Sequence, residues 1–369
     1  MRILHITETV KGGVGNYMFD LACHQIEQDQ VTAVGVAVPQ DFSDLVPDAL
    51  QGSLFALPEK RRSAVTLLRM AMKIRTIIKQ FQPDMLFLHS TFAGVLARAP
   101  FLVFGKPCRV IFVPHSWSFQ MSSGQSQASR PSLKSRVYAG IERLLLTKTD
   151  AVLCVAQEEV EDAKVAGLNT AKCHAILTGL KDVPSHLKAA KESQPDVSRV
   201  RAIFVGRFGE QKGSDLLVEA ARQLDPDKVV LDVLGEGDPD NQDAEHLAKL
   251  ANVNLHGWVS RERAQELMAQ ADVLFMPSRW EGLPLTTVEA MRASTAMLTS
   301  SIQVLKRIVE RHDCGVVGQG AQDFADLLNQ TEKSQWRRWG VNARQAYETH
   351  YRFEQMARQV DALAGISAD

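Results

Sequence analysis

Residues 201–224 read RAIFVGRFGEQKGSDLLVEAARQL. An apolar run, a turn carrying three glycines and two cations, and an apolar-periodic helical segment follow in that order, which is the strand–turn–helix unit of an α/β domain. The chain opens the same way: residues 3–7 read as a strand, Lys11-Gly12-Gly13-Val14-Gly15 as a turn, and a helical period runs through Tyr17, Leu21 and Ile26. VTAVGVAVP, DMLFLHS, CRVIFVPH and AVLCVAQ read as further strands before residue 184, with helices at 61–80 and 132–147. Their apolar runs lack strict alternation, so the sheet is expected to be covered on both faces. After residue 198 the pattern restarts and continues through KVVLDVLGEG, NVNLHGWV, RERAQELMAQA, DVLFMPS and LTTVEAMRAS.

A pattern that starts twice implies two open, doubly wound α/β domains. The expected division is 1–183, a polar linker at 184–198, 199–345, and a tail at 346–369. Residues 333–363 carry Trp336, Trp339, Tyr347, Tyr351 and Phe353, too many aromatics for a solvated extension, so this tail is expected to pack on a domain and to cross to the other. The length of 369 residues suits two domains of roughly 150 residues each. The polar stretch SSGQSQASRPS, 122–132, is expected to be a flexible loop.

Charge excludes one class of partner. The chain has 42 Lys and Arg against 43 Asp and Glu, which provides no global attraction for nucleic acid. Residues 1–180 hold 19 basic against 15 acidic groups, and the remainder 23 against 28. Cys23, Cys108, Cys154, Cys173 and Cys314 form no close pair, so a disulfide framework and a structural zinc site are not expected and a reducing compartment is. The N-terminus turns polar before a signal-peptide core can form. LFLHSTFAGVLARAPFLVFG is broken by His89, Arg98 and Pro100, a poor membrane span.

Three local patterns carry chemistry. The glycine turn at 12–15 lets backbone approach a ligand at a helix start, although KGGVGN is not the GxGxxG dinucleotide fingerprint and no acid ends the next strand. Arg207 and Lys212 flank the second glycine turn and can converge on a diphosphate. In SRWEGLPLTTVEAM, Glu281 sits in a loop and Glu289 on a helix eight residues later. The two settings suit different tasks, Glu281 for sugar hydroxyls and Glu289 for a ribose diol, while amides around 285–287 at the helix start can meet phosphate oxygens.

In order along the chain, GGVGNYMFDLA, FVGRFGEQKGSDLLVEAA, VLGEGD, VNLHGWVS and ADVLFMPSRWEGLPLTTVEAM resemble a retaining GT-B glycosyltransferase of family 4, over nearly the whole length. The resemblance implies two Rossmann-like domains facing across a cleft, with a C-terminal helix crossing back. It implies that Arg207 and Lys212 bind the donor diphosphate and that Glu281 and Glu289 form the E-x7-E pair. Leu285 and Thr286 would lie on the donor phosphates, Gly13 would face the reacting sugar, and His115 would stand near that sugar as a catalytic candidate beside Glu281. Residues 235–237 and 256–259 would approach the nucleobase. Two motifs depart from the pattern: Thr178-Gly179 replaces the usual asparagine-glycine, and Ser300-Ser301-Ile302-Gln303 replaces a glycine-rich turn with its proline and acid.

The implied activity is retaining transfer of a sugar from a nucleoside diphosphate donor, a UDP-sugar or GDP-sugar, to a hydroxyl in polysaccharide or other glycoconjugate synthesis, with no cofactor and no metal. Asp225-Pro226-Asp227 and Asp238-Pro239-Asp240 have D-x-D spacing, but cationic side chains and a helix start can neutralise a leaving diphosphate without a divalent ion. Alternatives are a noncatalytic nucleotide-sugar-binding protein and a GT-B-like epimerase or phosphorylase. The acceptor implied is a glycan or lipid-linked glycan. Between 60 and 79 lie Lys60, Arg61, Arg62, Arg69, Lys73, Arg75 and Lys79, interleaved with Val65, Leu67, Leu68, Met70, Met72, Ile74, Ile77 and Ile78. Such a helix can set apolar residues on its domain and cations on an anionic membrane. A cytoplasmic location, peripheral on the inner face of the membrane, is expected.

Overall fold

The computed structural model describes residues 1–10, 12–58, 63–121, 132–184, 187, 199–237, 241–282 and 284–366. Of the loop expected over 122–132 only Ser132 is described; Lys60, Arg61, Arg62, Asp238, Asp240 and most of the expected linker lie outside the described residues. The chain divides into two compact units, residues 1–178 with 356–369, and residues 179–355.

The first unit is built on a parallel sheet of β1 (Arg2–Thr7), β2 (Ala33–Pro39), β3 (Leu54–Leu57), β4 (Met85–His89), β5 (Arg109–Val113), β6 (Ala151–Cys154) and β7 (Cys173–Ala175), in the order β3-β2-β1-β4-β5-β6-β7. Every residue of β4 is buried, as a sheet covered on both faces requires. The interrupted apolar stretch is β4 and the helix Thr91–Phe104. Arg98 there is fully buried, with its guanidinium 2.9 Å from Glu142 and 3.8 Å over the Phe112 ring, so its charge is matched inside the domain. No described helix is long and apolar enough to cross a membrane.

The second unit repeats the plan with β8 (Val200–Val205), β9 (Val229–Leu234), β10 (Val253–Gly257), β11 (Val273–Met276), β12 (Ala296–Ser300) and β13 (Gly315–Gly318), in the order β10-β9-β8-β11-β12-β13. In each sheet the strand order reverses beside the first strand, at β1/β4 and at β8/β11. Ligands of open α/β sheets bind outside the carboxyl ends of the strands at that point. The loops leaving β1, β4, β8 and β11 are therefore the places to look.

The compact units divide at Thr178/Gly179 and Gln355/Met356, beside the domain boundaries expected at 183 and 345. Residues 179–183 are held by the helix Lys333–His350 and the turn after it: Leu180 donates to the Tyr351 carbonyl at 3.0 Å, Tyr347 Oη donates to the Leu180 carbonyl at 2.8 Å, and Arg344 grips Asp182 at 2.7 Å. A Cβ on Gly179 would stand 2.4 Å from the Arg352 carbonyl oxygen, so this glycine permits the close approach. Trp336, Tyr347, Tyr351 and Phe353 are buried. The last helix, Phe353–Ala364, enters the first unit, where Asp361 meets His24 at 2.7 Å and the Leu363 carbonyl accepts from Arg109 at 2.7 Å.

Candidate functional site

Lys212 and Glu281, 69 positions apart, are in contact: Nζ lies 2.6 Å from Oε1, with the lysine side chain 19% and the glutamate side chain 7% exposed. The fold makes this contact by locking the loop after β8 onto the loop after β11. Gly213 adopts φ +65°, and a Cβ there would stand 2.2 Å from the Pro277 carbonyl oxygen. The Arg279 amide donates to the Gln211 carbonyl at 2.9 Å, its guanidinium reaches Asp215 at 2.6 Å and the Glu210 carbonyl at 3.1 Å, and Gln211 donates to the Trp280 carbonyl at 3.3 Å. Gly213→Ala is expected to destabilise the second unit by at least about 1–3 kcal/mol, because it combines a left-handed φ with a backbone clash. Urea denaturation checks this, and an unchanged midpoint would show that the turn is not locked.

Arg207, on the same loop, is exposed and has no hydrogen-bond or ion-pair partner among the described residues. The helix Leu285–Arg292 starts at Pro284 with no side-chain cap and no acid in its first turn, which leaves its first amides available to an anion. Thr287, Val288, Ala290 and Met291 are buried, whereas Leu285, Thr286 and Glu289 are half-buried on the other face. The Thr286 hydroxyl sits 3.8 Å from the Met276 sulfur. The Glu289 carboxylate, one helical turn after Leu285, has no hydrogen-bond or ion-pair partner among the described residues. Beside this group Gly235, at φ +134°, would place a Cβ 1.9 Å from the Gly206 carbonyl oxygen, so the turns after β8 and β9 touch. Trp258, after β10, is 66% exposed and its amide lies 3.4 Å from Glu236.

In the first unit Gly12, at φ +86°, begins the helix Gly13–Ile26, whose first turn has neither a side-chain cap nor an acid. A Cβ on Gly15 would stand 1.9 Å from the Val10 carbonyl oxygen, so the helix start presses on the turn leaving β1, with Gly13 exposed. The same helix brings the Tyr17 ring edge-on to His115, 5.0 Å between centroids. His115 and Ser116, just past β5, have φ of 51° and 94°, an uncommon conformation outside glycine that persists only where neighbours enforce it. Glu159 enforces it. Its carboxylate accepts from the Ser116 amide at 2.7 Å and the Val155 amide at 2.9 Å, and its carbonyl accepts from the Trp117 indole at 2.8 Å. Glu8 does similar work after β4, accepting from the Ser90 hydroxyl and, at 3.0 Å, from the Ala93 amide.

Burial pushes the Glu159 carboxyl up from 4.5 to about 7, against the two amide bonds that favour its ionised form. The raised value fixes a sign: between those pH values the folded protein holds a proton that the unfolded chain has released, so this group's stabilisation is complete below pH 4.5 and lost above about pH 7. About 3 kcal/mol is at stake, from roughly 1.4 kcal/mol per pKa unit. Urea titrations should show the stability of the native protein relative to Glu159→Gln declining by about that amount across the interval; parallel pH profiles would contradict it.

Two family profiles match this chain, Glycosyltransferase Family 4 over residues 11–182 and Glycosyl transferases group 1 over residues 187–348. The chain belongs to the group 1, family 4 glycosyltransferases. An uncharacterized 41.2 kDa protein in the cps region of Klebsiella pneumoniae is 29% identical over 84% of this chain and 83% of its own. The Escherichia coli UDP-Gal:alpha-D-GlcNAc-diphosphoundecaprenol alpha-1,3-galactosyltransferase is 25% identical over 71% of this chain and 69% of its own. Anabaena HepE, solved in complex with UDP and glucose, superposes with a TM-score of 0.78 at 16% identity, over 99% of both chains. The fold of this family 4 glycosyltransferase is GT-B. The family 4 profile takes in Gly13 and His115, and the group 1 profile takes in Arg207, Lys212, Glu281, Leu285, Thr286 and Glu289.

Among the described residues of the transferase, no group of three or more His, Cys, Asp or Glu could hold a metal. Asp225 of the first D-x-D match accepts from the Asp227 amide at 3.0 Å, a local turn. Sequence reasoning missed Glu8, which directly follows β1, and Glu159, whose place in the first turn of the helix Gln157–Val165 looks like ordinary capping. It also missed three buried polar residues behind His115: His89 Nδ1 lies 3.1 Å from His115 Nε2, His5 Nδ1 3.0 Å from His89 Nε2, and Gln25 Oε1 2.8 Å from His5 Nε2. The available signal was a histidine directly following apolar residues in each of two strands, RILHIT and MLFLH.

Proposed function

We propose that this family 4 glycosyltransferase transfers a sugar from a nucleoside diphosphate donor to an acceptor hydroxyl with retention of anomeric configuration. The observation that carries the reading is the Lys212–Glu281 contact at 2.6 Å. A half-buried ammonium held by a carboxylate is a preorganised charge for a departing diphosphate, and Arg207, exposed on the same loop, adds a second. The uncapped amides at Leu285 and Thr286 add partial positive charge at the helix start. Glu289 supplies a carboxylate for the ribose diol, and Glu281 combines orientation of Lys212 with contact to donor-sugar hydroxyls. Same-face attack lets the departing phosphate take the proton of the incoming hydroxyl, so neither Glu281 nor His115 need form a covalent intermediate. Gly13 and His115 line the acceptor and sugar side in this reading.

HepE binds UDP and glucose, which favours a UDP-sugar over a GDP-sugar here. The experiment is a panel of UDP-sugars and GDP-sugars, with release of the nucleoside diphosphate followed with and without glycan acceptors. Acceptor-dependent release from one donor class is expected. Tight donor binding without turnover would favour a binding protein, and donor isomerisation would favour an epimerase.

The acceptor we propose is lipid-linked, in keeping with the diphosphoundecaprenol in the name of the Escherichia coli relative, with the enzyme peripheral on the cytoplasmic face of the membrane. The helix Ala64–Phe81 was expected to turn its apolar side chains inward. Met70, Ile74, Ile77 and Ile78 do so, but Val65, Leu68 and Met72 are 60%, 62% and 55% exposed beside exposed Arg69 and Lys73. The helix Leu133–Leu145 likewise exposes Leu133, Val137, Ile141 and Leu144, together with Lys134 and Arg136, and Thr91–Phe104 packs against both helices. Apolar side chains rimmed by cations suit an anionic bilayer surface. Co-sedimentation with phosphatidylglycerol vesicles is expected, weakened by salt and by Val137→Asp; no binding at low salt would contradict it.

A further inference from the structure

The three imidazoles of His5, His89 and His115 form one hydrogen-bonded file ending on the Gln25 amide. Successive rings are 5.3 and 5.4 Å apart between centroids and inclined by 19° and 23°. His5, His89 and Gln25 are fully buried. His5 is carried by β1, His89 by the adjacent end of β4, His115 by the turn after β5, and Gln25 by the helix that starts at Gly13. Burial depresses His5 to about 4 and His115 to about 3, and His89 also falls well below its ordinary value through burial and its two imidazole neighbours. All three rings are thus neutral at physiological pH, each with one N–H and one bare nitrogen.

A file of neutral imidazoles has one polarity. A ring that donates on one side must accept on the other, so the choice made at one end is transmitted to the next. With the Gln25 carbonyl oxygen facing His5 Nε2 at 2.8 Å, the amide can only accept there, and that orientation would put the proton of His5 on Nε2 and leave its Nδ1 bare. In that polarity His89 Nε2–H would donate across the 3.0 Å contact to His5 Nδ1, and His115 Nε2–H across the 3.1 Å contact to His89 Nδ1. We propose that Gln25, His5 and His89 are positioning residues that hold His115 in the Nε2–H tautomer, so that its bare Nδ1 is the atom available to accept from a substrate hydroxyl. The left-handed turn held by Glu159 fixes where the ring stands, and the imidazole file fixes which nitrogen it can offer. The use of that nitrogen rests on the reading of His115 as a site residue; the tautomer itself does not.

The test is a two-bond proton–nitrogen correlation spectrum of the full chain labelled with nitrogen-15 histidine, without donor, assigned by single His→Gln variants. The wild type should show Nε2–H and bare Nδ1 for His5, His89 and His115 alike. Gln25→Leu removes the acceptor that sets the polarity, and His115 should then populate both tautomers although nothing it touches has changed; kcat should fall about 10-fold with the donor KM kept, the usual scale for groups that orient a site imidazole. A proton on Nδ1 in any of the three wild-type rings, or a His115 tautomer indifferent to Gln25→Leu, overturns the proposal. The wild-type spectrum decides the matter even if Gln25→Leu folds poorly. Transfer unaffected by His115→Gln would count against the functional reading of His115 and leave the tautomer result standing.

Discussion

Lys212→Ala is expected to lower kcat by about 100- to 1000-fold, the range seen when one preorganised group facing developing negative charge is removed. The substitution takes the ammonium from a diphosphate leaving group and leaves Glu281, only 7% exposed, as a carboxylate without its cation. Both consequences act on the same step, so the loss should appear in kcat more than in the donor KM. Lys212→Arg keeps the charge but not the compact ammonium that fits 2.6 Å from Glu281, and should recover only part of the rate. The decisive arrangement is a double-mutant cycle of Lys212→Met and Glu281→Gln. Two groups acting as one unit are strongly non-additive, so the double variant should be little worse than the worse single one. Independent losses that multiply would show that the contact has no part in catalysis.

Glu289→Gln should act elsewhere. The Glu289 carboxylate has no protein partner among the described residues, and it shares the accessible helix face with Leu285. Removing its charge therefore costs the free protein little stability, while a ribose diol loses the charged acceptor that makes each hydrogen bond worth about 1.5–3 kcal/mol. The donor KM should rise about 10- to 100-fold with kcat nearly kept and the melting temperature unchanged. A normal KM would remove Glu289 from the donor site. Opposite signatures for Lys212 and Glu289, one in kcat and one in KM, would separate the two ends of the donor in this reading.

The candidate donor-side residues stand out in the sequence because they follow local patterns: glycine turn, cation, helix at 206–214, and acid, glycine, proline, helix at 281–285. That Lys212 and Glu281 touch across 69 positions was not legible, since the contact depends on β8 pairing with β11 and on Gly213 packing against Pro277. Two domains were legible from the restart after residue 198, but not the division at Gly179, which depends on pairing with the tail. Strands β3, β7, β12 and β13 escaped notice because LFAL, CHA, AMLTS and GVVG are three to five residues long, too short for a periodic signal. His5 and His89 looked like single polar interruptions of strands. Only the parallel register that sets Thr7 opposite His89 and His5 opposite Phe87 brings their rings into one file.

The proposed reaction is donor-dependent transfer in which the bond at the sugar is remade on the face it left. The direct measurement is proton NMR of the product as it forms from the preferred UDP-sugar and a lipid-linked or synthetic acceptor, reading the anomeric coupling constant before any mutarotation. A new glycoside with the donor's own anomeric configuration, formed by the wild type and nearly absent with Lys212→Ala, is the predicted result. An inverted glycoside, or a covalent sugar adduct isolated on Glu281, would contradict it.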